Sequence, residues 1–301
     1  MPRTHSSDHE NNASASQGQQ QRQAEEARRR PATAQNSERN GKKTKKILLN
    51  ALLAICIIVL VVSLYFIITT LMEYQGAQSS YANLQEIAII QSPTQSAENA
   101  AQSPTESPAG SFAPLSRSID FDKLQAINPD IIAWLYLPGT VVDYPVVQGE
   151  DNEYYLSHTA DLKKNASGAI FADYRSGLLE EQNTTLYGHN MKDDSMFHQM
   201  LSYQNQEFYE EHPCFYLYTP SHVYQLEVFS AYTTNASAHY TVSSFGSEEE
   251  YSAFLDQLIR KSNCSTDVSI TTEDQIVTFS TCAYSVDDGR FAVHAKVSLL
   301  Q

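Results

Sequence analysis

The feature that most constrains this chain is an uncharged apolar run from Ile47 to Met72. An α-helix rises 1.5 Å per residue, so about 20 apolar residues cross the hydrocarbon core of a bilayer, and this run exceeds that length. A cluster of lysines ends at Lys46, directly before the run, and Glu73 follows it. Because basic residues tend to stay on the cytoplasmic side, we predict a single transmembrane helix over 47–72 with the N-terminus in the cytoplasm.

A cleaved signal peptide is the alternative interpretation of the same run. Three features argue against it: the preceding arm is long, the apolar run is about twice the length of a typical signal-peptide core, and no A-x-A-like cleavage site follows. The sequence therefore favours an uncleaved anchor in the cell membrane, with the remainder of the chain outside the cell.

The charge of the chain is divided unequally by this run. The formal net charge is −15, but residues 1–46 carry ten basic and five acidic side chains and are net positive. Residues 47–301 therefore carry a strongly negative net charge. Binding to phosphate backbones requires clustered Lys and Arg, so we expect no nucleic acid partner for the bulk of the protein.

Composition divides the rest of the chain into three parts. Residues 1–46 are rich in Gln, Asn, Ser, Ala and Arg and are predicted to be a disordered basic cytoplasmic tail. Residues 73–115 are rich in Ser, Gln, Ala and Pro and are predicted to be an extracellular stalk. The stalk contains one apolar run, LQEIAII at 84–90, which is interpreted as a helical turn or a strand that docks elsewhere. Residues 116–301 have a globular composition and are predicted to form one folded domain.

Within this domain most segments alternate between apolar and polar residues, which indicates β-strands. One long helix is predicted over Ser247–Lys261, with Ser247 as its N-cap and Tyr251, Phe254, Leu255, Leu258 and Ile259 as its apolar stripe. Short helices are predicted over Asp122–Asn128, Met196–Leu201 and Gln206–His212. The fold class is therefore mainly β: a closed or nearly closed eight-stranded barrel with added helices. The predicted strands are Ile132–Tyr136, Val141–Val147, Ala169–Ala172, Thr184–Tyr187, Phe215–Thr219, Val223–Thr233, Gln275–Thr281 and Phe291–Leu299.

Three cysteines follow the apolar run, namely Cys214, Cys264 and Cys282. They cannot all pair with one another, so at least one is expected to be a free thiol. A Cys214–Cys264 disulfide is permitted outside the cell, but the spacing does not require it. The spacing of the cysteines, histidines and carboxylates matches neither a zinc site nor a calcium loop, so we expect no metal and no other cofactor.

Cys282 ends the strand pattern IVTFSTC on its polar face, and Arg290 begins the next strand pattern. If the two strands form a hairpin, Cys282 and Arg290 meet at its open end. A guanidinium at that point would stabilise a thiolate and could donate hydrogen bonds to an oxyanion. The ordinary alternative is an ion pair of Arg290 with Asp287 or Asp288.

A nucleophilic thiol requires an imidazole for proton transfer, and seven histidines follow the apolar run. His189 is favoured because it follows the strand-like TTLY and Gly188, at the type of strand end where active-site residues gather. His294 is a rival, because the hairpin places it on the same face as Cys282. The spacing of residues alone leaves both histidines open.

Three segments together resemble a class B sortase. They are INPDIIAWLYLPGTVVDYPVVQGEDNEYYL at 127–156, TLYGHNMKDDSMF at 185–197 and TFSTCAYSVDDGRFAVHAKV at 278–297. The TLxTC pattern of the family is present as TFSTC, with Phe279 in place of Leu. The acidic residue that follows the cysteine in the family is replaced by Ala283. The helix predicted before the cysteine strand resembles the additional helix that distinguishes class B.

This resemblance implies an eight-stranded sortase barrel and a cysteine transpeptidase of a Gram-positive bacterium. The catalytic residues would be His189, Cys282 and Arg290. Surface proteins with a C-terminal sorting signal of the NPxTN or xPxTG type would be cleaved through a thioester and transferred to an amino group of a peptidoglycan precursor. The residues matching the peptide groove of the family are Asn152, Leu156, Tyr187, Tyr240, Ser280 and Thr281.

Two alternatives to wall anchoring remain open at this point. A pilin-polymerising sortase would use the same chemistry at Cys282 with a pilin Lys as the acceptor. A non-catalytic surface binding module would not require an activated thiol, and the long stalk is compatible with it.

Overall fold

The computed structural model describes residues 11–91, 114–285 and 287–301, which divide into two compact units between Thr69 and Thr70. The first unit consists of the helix α1 (Asn11–Ala88) up to Thr69. The apolar part of α1 is long enough and sufficiently free of charge to cross a membrane by length and composition. Its large apolar side chains between Ile47 and Met72 are exposed, as expected of a candidate membrane span.

The structure differs from the predicted disordered tail, because α1 begins at Asn11. The side chains described in this part of the helix, those of Arg22, Gln23, Glu25 and residues 43–46, are exposed. Ala, Gln, Glu and Arg have high helix propensity, which favours a helix even where the segment has no apolar face to bury.

The beginning of the predicted stalk also differs, because residues up to Ala88 are helical and belong to the second compact unit. Ala77, Tyr81, Leu84 and Ala88 are buried, and their spacing of four, three and four residues places them on one face of the helix. The strand β1 (Ile89–Gln91) then pairs with β2 (Arg117–Ile119). Residues 92–113 of the predicted stalk lie outside the described residues.

The second unit contains the predicted eight-stranded barrel, which is closed. The order around the barrel is β10-β8-β7-β3-β4-β5-β6-β9, with parallel pairing of β4 with β5 and of β6 with β9 and antiparallel pairing elsewhere. All eight predicted strands are confirmed, with ends shifted by one or two residues. Their bounds are β3 (Ile131–Tyr136), β4 (Asp143–Val147), β5 (Ile170–Ala172), β6 (Asn183–Tyr187), β7 (Cys214–Tyr218), β8 (Val223–Asn235), β9 (Ile276–Cys282) and β10 (Gly289–Leu299).

The barrel interior is filled by the apolar residues that alternate along the strands. Leu135 on β3, Phe215 on β7 and Phe279 on β9 are fully buried. The rings of Phe215 and Phe279 stack with centroids 4.4 Å apart. Burial of large aromatic side chains is a major stabilising contribution in a core of this kind, and it fixes the positions of the strand ends.

The helix α4 (Glu248–Lys261) covers one outer face of the barrel, as the predicted long helix before the cysteine strand. The Ser247 hydroxyl caps it by accepting a hydrogen bond from the amide of Glu250. Tyr251, Phe254, Leu255 and Leu258 are buried. The prediction that Ile259 belongs to this stripe is wrong, since its side chain lies at the margin of the packed face and is 46% exposed.

The remaining helices are short. Among the described residues they are α2 (Phe121–Ile127), α3 (Gln206–Glu211) and three 3₁₀ segments (Pro114–Ser116, Tyr154–Leu156 and His198–Gln204). The helix predicted over Met196–Leu201 begins two residues later and is a 3₁₀ helix. Met196 has a φ of 56°, a left-handed conformation that does not belong to a right-handed helix.

Candidate active site

The site forms where three strands end at one edge of the barrel. Strands β6 and β9 are parallel, with Tyr187 opposite Ser280, so both chains leave the sheet at the same end. His189 follows β6 by two residues and Cys282 is the last residue of β9. Strand β10 forms the predicted hairpin with β9, and Arg290 is paired with Cys282. The topology therefore brings His189, Cys282 and Arg290 to one place.

These three residues line a groove of about 210 Å³. Of the six predicted groove residues, five line the same cavity and Tyr240 does not. Tyr240 lies behind it, where its hydroxyl is 2.8 Å from the Ser280 hydroxyl. The full lining consists of Asn152, Leu156, Phe171, Tyr187, Gly188, His189, Ser280, Thr281, Cys282 and Arg290.

Cys282 is a half-buried free cysteine. Its backbone carbonyl accepts a hydrogen bond of 2.9 Å from the side-chain amide of Asn190. The Oδ1 atom of Asn190 is in turn 2.7 Å from Nδ1 of His198, whose Nε2 lies 3.1 Å from Asp194. The loop that carries His189 is thus bonded to the end of β9.

The His189 ring is held by a backbone carbonyl. Its Nε2 atom lies 2.8 Å from the Leu156 carbonyl oxygen. Because a carbonyl oxygen only accepts, Nε2 carries a proton in this arrangement and leaves Nδ1 for another partner. The backbone of Gly168 lies against the same ring: a Cβ atom at Gly168 would be 3.1 Å from Cδ2 of His189.

Arg290 is oriented by backbone carbonyl groups. Its guanidinium donates to the carbonyls of Gly289 at 3.0 Å and of Asp288 at 3.4 Å. Among the described residues its guanidinium forms no ion pair with the carboxylates of Asp287 or Asp288, which was the alternative that the sequence left open. The positive charge therefore remains available to the groove.

His294, the rival imidazole, has a different environment. It is fully buried beneath α4, with Nδ1 2.9 Å from the Thr278 hydroxyl and Nε2 3.3 Å from the Tyr232 hydroxyl. Burial, together with the charge of Lys261, lowers the pKa of His294 to about 3. A permanently neutral histidine that does not line the groove is a structural residue.

The predicted groove residues are anchored in different ways. Leu156 is 43% exposed and so belongs to the groove surface and not to the core. The Tyr187 hydroxyl donates to Asp173 at 3.0 Å. Burial is the main cause of the raised pKa of Tyr187, and the negative charge of the Asp173 carboxylate is the second. Burial would raise the pKa of Asp173 too, but hydrogen bonds from Arg175 outweigh it and hold that pKa at about 2.

Two further groove residues, Asn152 and Thr281, have polar side chains with different surroundings. The Asn152 side chain accepts a hydrogen bond of 3.1 Å from the amide of Tyr174. The Thr281 hydroxyl is buried and has no hydrogen-bond partner within the described part of the chain. A buried hydroxyl without a partner is unfavourable, so this atom is a local cost to the stability of the barrel.

Sequence reasoning missed three residues at this site and named a fourth, Gly188, only as the neighbour of His189. Phe171 packs on Tyr187 with ring centroids 5.3 Å apart, and Asn190 and His198 form the link to Cys282. Gly188 permits a close approach of the chain, because a Cβ atom there would lie 2.5 Å from Cδ1 of Ile170. Gly188 could be recognised from its position between a predicted strand and a histidine. The other three residues could be found only once the strand pairing was known.

The other thiols outside the candidate span differ from Cys282. Cys264 is buried, and Cys214 lies at the start of β7. Burial raises the pKa of the Cys214 thiol. Within the described residues no three His, Cys, Asp or Glu side chains lie close enough together to share a metal ion.

A thiol, an imidazole and a guanidinium facing one groove are suited to acyl transfer through a covalent intermediate. The thiol supplies the nucleophile, the imidazole transfers protons, and the guanidinium stabilises negative charge on a carbonyl oxygen. The groove around them is open to solvent and partly apolar.

Comparison with known proteins gives a consistent result. A sequence profile described as the sortase domain matches residues 135–298. The chain is 41% identical over 180 residues to Sortase B of Staphylococcus aureus, covering 59% of this chain and 74% of that protein. A crystal structure described as the S. aureus sortase B–substrate complex is 40% identical with a TM-score of 0.58, covering 60% of this chain and 85% of that one. The structure of sortase B from B. anthracis is 37% identical with a TM-score of 0.62, covering 76% of this chain and all of that one.

Proposed function

The chain belongs to the sortase B family and is a transpeptidase of the sortase kind, and from this premise we propose that it attaches secreted proteins to the cell wall of a Gram-positive bacterium. The substrate is a protein with a C-terminal sorting signal of the NPxTN or xPxTG type. The observation that carries the proposal is the placement of Cys282, His189 and Arg290 around one groove.

In the first half of the reaction the Cys282 thiolate attacks the carbonyl carbon of the Thr in the sorting signal. A carbon–sulfur bond forms, and the peptide bond after the Thr breaks. The His189 imidazolium gives its proton to the leaving amine, which departs with the C-terminal tail. Arg290 donates hydrogen bonds to the oxyanion of the tetrahedral intermediate.

In the second half an amino group attacks the thioester carbonyl carbon. A new amide bond forms as the carbon–sulfur bond breaks, and His189 takes the proton from the attacking amine. The thiolate and the imidazolium are restored, so the cycle requires no cofactor. The acceptor is the amino group of a lipid-linked peptidoglycan precursor.

The peptide groove is formed by Asn152, Leu156, Tyr187, Ser280 and Thr281, and Tyr240 supports it through its contact with Ser280. The apolar side chains of this groove pack on the signal. Ala283, which has no charge, leaves recognition of the signal to these residues.

The enzyme works at the outer face of the cell membrane. The segment Ile47–Met72 is its single membrane anchor, and the lysines before it keep the N-terminus in the cytoplasm. The catalytic barrel then faces the wall, where both the anchored precursor and the secreted proteins pass. The acidic surface of this part of the chain keeps it soluble beside the membrane.

Incubation with sorting-signal peptides tests this proposal. The protein with residues 70–301 is mixed with a small library of NPxTN and xPxTG peptides, with and without an amine acceptor. Mass spectrometry reads the cleavage position, the thioester on the protein and the ligated product. We expect cleavage after the Thr, a covalent adduct on Cys282 and transfer to the amine.

Cys282→Ala should abolish the adduct and the cleavage, and Cys214→Ala is the matched control that should retain both. Cleavage that persists in Cys282→Ala would refute the mechanism. Transfer to a pilin Lys but not to a wall precursor would favour pilus assembly. Absence of both adduct and cleavage with every peptide would favour a binding module.

A further inference from the structure

The segment of α1 that follows the candidate membrane span is bonded to one loop of the barrel. The Glu73 carbonyl accepts a hydrogen bond of 2.8 Å from the Asn165 side chain. Tyr81, four percent exposed, donates from its hydroxyl to the Gly168 carbonyl at 2.5 Å. Between these two contacts Lys163 lies 3.4 Å from Ser80. About two and a half turns of helix, residues 73–81, therefore hold residues 163–168.

Residues 163–168 belong to the longer loop 156–168, whose two ends contact His189. Its two ends are joined by the hydrogen bond of 2.9 Å from the Ala169 amide to the Tyr155 carbonyl, so Leu156 and Gly168 lie side by side. The Leu156 carbonyl accepts from Nε2 of His189, and the Gly168 backbone packs on the ring. A movement of Gly168 therefore changes the contacts that hold the His189 ring.

Tyr81 also reaches the backbone of His189 by a second route. Its ring packs edge-on against that of Tyr144, with centroids 5.1 Å apart. The Tyr144 hydroxyl accepts a hydrogen bond of 3.2 Å from the Met196 amide. The next residue, Phe197, donates from its amide to the His189 carbonyl at 2.9 Å. The two routes from Tyr81 reach the ring and the backbone of the same residue.

We propose that Tyr81 is a positioning residue for the transpeptidase reaction, which acts through Gly168 and Tyr144 to hold His189 at its place in the groove. The inference rests on the proposed role of His189 as the proton-transfer residue. It makes the helix after the candidate span a part of the catalytic unit, although its sequence has the composition of a stalk. Burial also raises the pKa of Tyr81, so the hydroxyl remains a hydrogen-bond donor throughout the working pH range.

Tyr81→Phe tests the inference in the full chain, because it removes one hydroxyl and retains the ring. Displacement of the imidazole disturbs proton transfer more than peptide binding, so kcat should fall roughly threefold to tenfold, while KM stays within about twofold. The NMR signal of the His189 ring Cδ2–H should shift, since this atom faces Gly168. It is assigned by its loss in His189→Asn.

Tyr203→Phe is the matched control. Tyr203 is a buried tyrosine whose hydroxyl also donates to a backbone carbonyl, that of His212 at 2.7 Å. Its ring contacts are with Phe208 and Phe215, and not with His189. This variant should lose a similar amount of thermal stability but keep kcat and the His189 signal of the parent protein.

Several results would overturn the inference. It is wrong if Tyr81→Phe matches Tyr203→Phe in both kcat and the His189 signal, or if KM rises while kcat is unchanged. Failure of the proposed function has a different signature: His189→Asn would retain transpeptidation. In that case the shift of the His189 signal in Tyr81→Phe still decides whether Tyr81 holds the ring, since it does not depend on activity.

Discussion

Asn190 donates a hydrogen bond of 2.9 Å from its side-chain amide to the backbone carbonyl of Cys282. The two residues are 92 positions apart in the chain, and the bond connects the segment after β6 to the end of β9. Since His189 precedes Asn190 directly, this contact fixes the separation between the two segments that supply the thiol and the imidazole.

Asn190→Asp should lower activity strongly, because the aspartate has nearly the same shape but cannot donate to the carbonyl. Loss of the bond, with a carboxylate now facing a carbonyl oxygen, is expected to cost about 1–3 kcal/mol. If this cost falls on the transition state, the rate of thioester formation falls about 5-fold to 150-fold. Single-turnover mass spectrometry of the acyl-enzyme measures this rate.

Asn205→Asp is the control for that variant. Asn205 caps α3 outside the groove, and an aspartate retains the capping acceptor. Its rate of thioester formation should equal that of the parent protein. An Asn190→Asp enzyme with the parent rate would show that the bond to Cys282 is not needed for catalysis.

The reactivity of the thiols supplies a second prediction. Cys282 lies in the groove opposite Arg290, whereas burial raises the pKa of Cys214. The thiolate is the reactive form, so a raised pKa leaves less of it near neutral pH. We expect iodoacetamide to alkylate Cys282 first, as read by peptide mapping. The fast phase should vanish in Cys282→Ala and persist in Cys214→Ala. Equal rates at the two sites would contradict activation of Cys282.

The eight strands of the barrel could be predicted from sequence because alternation is a local signal. The hairpin of β9 and β10 was predicted as well, since few residues separate the two strands and the pattern fixes the register of Cys282 and Arg290. The parallel pairing of β6 with β9 joins segments about 90 residues apart, and nothing local encodes it. The polar contacts of Asn190 depend on that pairing, which is why they were missed.

The choice between His189 and His294 shows the same limit. Alternation places His294 on the face of Cys282, but it does not reveal that α4 covers that face. The position of His189 after a predicted strand favoured it, and the resemblance decided between the two histidines. The structure places His189 in the groove and buries His294. The helical face of Ala77, Tyr81 and Leu84 was missed for another reason. Gly76 precedes Ala77 and Ser80 precedes Tyr81, so the hydrophobic periodicity of this segment is weak.

Burial of His294 makes the stability of the barrel depend on pH. The folded protein holds this residue neutral with a pKa of about 3, whereas an unfolded histidine titrates near 6.5. Between these values the unfolded state binds one more proton, so the free energy of unfolding falls as the pH falls below about 6.5. The contribution of this one group between pH 7 and pH 5 is about 2 kcal/mol.

Urea denaturation of the protein with residues 70–301 at pH 7 and pH 5 measures this loss. His294→Gln retains a polar side chain without a titrating group, so its unfolding free energy should fall by about 2 kcal/mol less over the same interval. His222→Gln, at an exposed histidine, is the control and should follow the parent protein. An equal pH dependence in the parent and in His294→Gln would mean that His294 is not neutral in the folded state.

Gly168 is required by its backbone conformation as well as by its neighbours. Its φ of 58° is left-handed, and a Cβ atom there would lie 2.5 Å from the Tyr155 carbonyl oxygen. That contact is with backbone, which cannot rotate away, so Gly168→Ala should destabilise the fold by about 1–3 kcal/mol and displace the wall of His189. We expect both the melting temperature and the rate of thioester formation to fall.

Gly76→Ala is the opposite case: its Cβ would make an ordinary contact of 3.5 Å with Asn165, and Ala favours the helix by about 0.5–1 kcal/mol. This variant should therefore retain activity with an equal or higher melting temperature, and a Gly168→Ala protein as stable and as active as Gly76→Ala would disprove the constraint.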